Sequence, residues 1–75
     1  MNIEHLITMA NDIGEFFDSE MGSKEAPQGI ALHISRYWDP RMRTAIIEHA
    51  ADGGAGLSAS ALAAVKSLPA PSVQR

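Results

Sequence analysis

The dipeptide Asp39-Pro40 sets the tightest limit on how this chain can fold. Proline has no amide proton and its ring holds φ near −65°. It therefore suits only the first turn of a helix, and it pushes the residue before it out of the α region. A helix arriving from the N-terminal side must stop near Trp38, and a new one can begin at Pro40 with Asp39 as its N-cap. On both sides of this corner, apolar residues recur at spacings of three and four, the pattern of amphipathic helices. No stretch alternates apolar and polar as a half-buried strand would. The expected fold class is all-α: a small bundle of three main helices plus a short C-terminal helix.

The first helix is expected over residues 3–17, with Ile3, Leu6, Ile7, Ala10, Ile13, Phe16 and Phe17 forming one wide apolar stripe. Asn2 can cap it, and Glu4 sits in the first turn, where the helix dipole favours an anion. Gly14 weakens the middle of this helix unless another element comes close there. The periodicity lapses over "DSEMGSKEA", which reads as a loop around Gly22 and Ser23. The second helix is expected over 26–38, with Pro27 in its first turn and Ile30, Ala31, Ile34, Tyr37 and Trp38 facing inward. The third runs from Pro40 to about Ala51, turning Met42, Ala45 and Ile46 inward, with Ile47 or His49 beside them. "DGGAG" ends it, and Gly53 can take the left-handed position after the last turn. Ser58 can cap the fourth helix, with Leu57 stapled onto Leu62 and an apolar side of Ala61, Leu62, Ala64, Val65 and Leu68. Pro69 stops it. Residues 1–68 then form a single helical domain and 69–75 a flexible tail.

A domain of 75 residues buries only roughly 60–65% of the surface its unfolded chain exposes, so its stability margin is thin. Disulfides, Cys-type zinc sites and iron–sulfur ligation are excluded because the chain has no cysteine. What remains is a well-packed bundle or a fold completed by another chain, and self-association of the isolated chain stays open. The formal net charge of −3 argues against general binding to nucleic-acid phosphates. No apolar run approaches the ~18 residues of a membrane span, and the N-terminal segment lacks the basic and cleavable pattern of a signal peptide. The chain reads as cytoplasmic.

Residues able to do chemistry are sparse. His5, His33 and His49 fall on different helices, and neither an HxxxH nor an ExxH pair occurs. They read as surface or packing residues. The "GGAG" segment has no following Lys-Ser/Thr and no preceding strand, so it is a helix terminator rather than a phosphate loop. No catalytic, cofactor-binding or metal-binding residue is assigned. The one dense feature is "RYWDPRMR", Arg36 to Arg43, which holds the only Trp, the only Tyr and half of the basic residues. Trp, Tyr, Arg and Met are enriched at the centres of protein interfaces. Arg36, Tyr37, Trp38, Arg41, Met42 and Arg43 are therefore the candidate partner-binding residues, with Trp38 either an apolar anchor or simply core. Arg41 and Arg43 point about 200° apart and cannot both face one partner squarely. A DNA-binding helix-turn-helix is disfavoured by the acidic total and the absence of further basic residues on the third helix.

Three blocks, "LITMANDIGEFF" (Leu6–Phe17), "IALHISRYWDPRMR" (Ile30–Arg43) and "IIEHAADGGAGL" (Ile46–Leu57), stand in an order and at spacings that resemble the delta subunit of soluble, NAD-dependent, molybdenum-containing formate dehydrogenases. The resemblance covers about three-quarters of the chain and implies an accessory subunit that is not itself an enzyme. In that family the alpha subunit holds molybdenum bis-pterin and iron–sulfur clusters, the beta subunit FMN and the NAD site, and the gamma subunit a further iron–sulfur cluster. The resemblance thus implies alpha, beta and gamma subunits as partners, with alpha the expected neighbour, and no cofactor in this chain. It leaves two further roles to weigh: a transient maturation factor for insertion of the molybdenum cofactor, and a free-standing helical regulator.

Overall fold

The computed structural model describes residues 2–69. Four helices follow in order: α1 (Ile3–Met21), α2 (Ala26–Tyr37), α3 (Pro40–Ala51) and α4 (Ala59–Ser67). The tail expected over 69–75 lies, beyond Pro69, outside the described residues.

Each start has a local cause. The Asn2 side-chain oxygen accepts the Glu4 amide at 2.8 Å, Asp39 accepts the Met42 amide at 3.0 Å and Ser58 accepts the Ala61 amide at 3.2 Å. Each satisfies one of the amides that a helix leaves unpaired at its first turn. Trp38 and Asp39 are both extended, which stops α2 at Tyr37 and lets α3 begin at Pro40. The end of α3 carries a Schellman motif. Gly53 donates to the Ala50 carbonyl and Gly54 to that of His49, with Gly53 at φ +113° in the left-handed range expected of it.

One boundary differs from expectation. α1 continues through Asp18, Ser19, Glu20 and Met21, so the connection to α2 is only residues 22–25. Two contacts made by other elements account for the extra turn. Phe17 and Met21 lie over Gly29 of α2, and the Ser60 hydroxyl of α4 donates to the Asp18 carboxylate at 2.6 Å.

The core is shallow and rich in alanine. Ala10, Ala26, Ala50, Ala61 and Ala64 are buried beside Leu6, Ile30, Ile34, Trp38, Ile46, Val65 and Leu68. Small side chains let the helices approach closely. α2 packs on α4 and on α1, and those two helices also pack on each other and on α3. The loop between α3 and α4 is bracketed by one amide. Asn11 donates to the Gly56 carbonyl and accepts the Ser58 amide, both at 2.8 Å. His49 adds a bond from Nε2 to the Ala55 carbonyl at 2.7 Å. Gly14 is buried beneath this bracket, where Ile30 and the start of α4 come against α1.

Candidate docking surface

The six corner residues divide between fold and surface. Trp38 continues the row Ala26, Ile30, Ile34 at intervals of four and is only 4% exposed, so it belongs to the core rather than serving as an exposed anchor. Trp38 is already extended one residue before Asp39, the residue that Pro40 holds out of the α region, so the buried indole sits at the corner itself. Met42 packs partly buried against the same core. Arg43 turns inward: its Nη1 donates to the Trp38 carbonyl, a group past the end of α2 with no helical partner. Arg43 is half-buried, with one guanidinium nitrogen committed to the corner. Arg36, Tyr37 and Arg41 remain exposed.

Tyr37 is the surprise of α2, since it is 71% exposed where an inward position was expected. It belongs to a second row, Gly29, His33, Tyr37, displaced by one residue from the buried row. A third, Leu32 and Arg36, lies beyond it. The apolar stripe read from the sequence merged the buried row with its neighbour. The signal that separates them is the four-residue spacing itself: a bundle helix this short buries one narrow row, so the aromatic and apolar residues of adjacent rows are left outside.

Those outer rows meet the outer side of α1. The Phe16 and Phe17 rings sit edge to face at 5.2 Å, Phe17 and His33 at 6.4 Å, and His33 lies 4.8 Å from Tyr37. Such separations are those of favourable aromatic pairs. Gly29 makes room for this ladder, since a Cβ there would lie 2.6 Å from Phe17 Cδ1. Phe17 and His33 form a ridge with a shallow groove on each side. One groove is bounded by Asp12, Ile13 and Phe16, the other by Met21, Leu32, Arg36 and Tyr37. Phe16 is 59% exposed, Leu32 56% and Met21 41%. Together with Tyr37 they leave four large apolar side chains exposed around the ridge, and the largest apolar patch of a monomer is often a functional one.

Among the described residues, no group of three or more His, Cys, Asp or Glu side chains is placed to hold a metal ion. His33 is part of the ladder, His49 holds the α3–α4 loop and His5 is exposed. No described helix is long and apolar enough to cross a membrane.

No curated protein and no solved structure matches the chain significantly. The model of one family does: the NADH-dependent formate dehydrogenase delta subunit FdsD, over residues 5–65. That span runs from the first turn of α1 into the last turns of α4 and includes the Asp39-Pro40 corner, the ring ladder from Phe16 to Tyr37 and the Asn11 bracket. The chain therefore belongs to the NADH-dependent formate dehydrogenase delta subunit family.

Proposed function

We propose that this chain is a non-catalytic accessory subunit of a cytoplasmic, NAD-dependent formate dehydrogenase, and that it supports the complex by docking on a larger subunit, alpha in the first instance. Family membership supports the complex. The docking role is carried by one observation, the exposed apolar face spanning α1 and α2. In this reading the molybdenum bis-pterin, iron–sulfur, FMN and NAD chemistry that oxidises formate to carbon dioxide resides in the alpha, beta and gamma subunits. This chain supplies no cysteine to a cluster and has no metal-binding group among its described residues.

The test is purification of the complex from native extract through an affinity tag on this chain. Alpha, beta and gamma subunits should co-elute in fixed ratio, and the eluate should reduce NAD when given formate. A chain that accompanies only the immature large subunit and is missing from active enzyme would be a maturation factor. A chain that recovers none of the three subunits would have no place in the complex.

A further inference from the structure

We infer that the two-grooved face of α1 and α2 is the grip of this chain on a larger formate dehydrogenase subunit. Its occupant is a segment of that subunit with two apolar side chains, one flanked by a basic residue and the other by an acidic one. The inference rests on the accessory role proposed above and names the surface that performs it.

Shape and charge both point this way. The Phe17–His33 ridge divides the face, so an occupant must place an apolar side chain on each side of it. The groove beside Phe16 has Asp12 at its rim, and the groove beside Leu32 and Tyr37 has Arg36. A segment with a cation near the first and an anion near the second pairs with both. Reversed, it sets like charges against each other, so the rim fixes the direction of docking. Exposed aromatic and Arg side chains around an apolar centre are the composition of an interface core.

A second copy of this chain fits less well. A standard interface buries ~800 Å² per partner, of which only a little over half is apolar, so the polar rim must be engaged along with the grooves. The domain is only 18 Å across its thinnest dimension, and two copies would meet ridge against ridge. A larger subunit can enclose the rim as well as fill the grooves.

The experiment co-expresses the full complex with an affinity tag on the large subunit and measures how much of this chain is retained. Phe16→Ser, Leu32→Ser and Arg36→Glu are compared with wild type and with Ala63→Ser on the exposed side of α4. Each isolated chain is also melted, because a variant that fails to fold would fail to bind for the wrong reason. Phe16→Ser and Leu32→Ser should each weaken retention roughly tenfold or more. Arg36→Glu should weaken it most at low salt. All melting curves should stay at the wild-type position, and Ala63→Ser should be retained fully. Retention of the groove variants at the wild-type level overturns the assignment of this face while leaving the accessory role intact. Sedimentation of the isolated wild type as a dimer that Leu32→Ser dissociates gives the face to a second copy and likewise overturns it. Failure of the wild type itself to be retained removes the accessory role, and this inference with it.

Discussion

Replacing Trp38 by Ala takes the largest side chain out of a core otherwise built from Leu, Ile, Val and five alanines. Alanines cannot swing in to fill the space, so the cost should lie near the ~3–5 kcal/mol of a large aromatic truncation. That is a large share of the ~5–15 kcal/mol that stabilises an ordinary domain. Urea denaturation of the isolated variant should show a transition at much lower denaturant, or none. Tyr37→Ala, one residue earlier, removes a mostly solvent-exposed ring and should shift stability by no more than about 0.5 kcal/mol. The contrast tests whether the two aromatics divide between core and surface as the structure places them.

At the scale of the element, the corner depends on Asp39. Asp39→Ala leaves the Met42 amide without its acceptor and should cost about 1 kcal/mol, visible as a lowered melting temperature in circular dichroism with little loss of helix at 20 °C. This corner was legible in the sequence because proline geometry and N-capping are local: they act within four residues and need no knowledge of what packs nearby. The same holds for Ser58 and for the Schellman glycine at 53. The last turn of α1 was not legible. Asp18 to Met21 carry no periodic signal of their own, and they stay helical through contacts with Gly29 and Ser60, which lie 8 to 42 residues away. The docking face was half legible for a related reason. Phe16, Phe17 and Tyr37 stand in the apolar stripes and Leu32 and Met21 outside them, and which row is buried depends on how closely α4 approaches α2. The alanines of α4 reveal that approach only once the two helices are placed together. The bond from Arg43 to the Trp38 carbonyl was not legible either, because a carbonyl freed by the corner is invisible in a residue pattern.

Across the whole molecule, α2 serves two surfaces at once. Its inner row fills the core between α1 and α4, and its outer rows face the grooves. No part of α2 can unwind without dismantling both neighbours, so the Ile30 and Ile34 amides should exchange with deuterium only when the entire domain opens. The amides of the short connection at 22–25 should exchange much faster. A partner that binds only the folded chain makes global opening rarer by mass action, and at about one hundred times its Kd it slows such exchange ~100-fold. Hydrogen exchange at Ile30 and Ile34, two residues that need never touch the larger subunit, would thereby serve as an internal gauge of how tightly that subunit holds the chain.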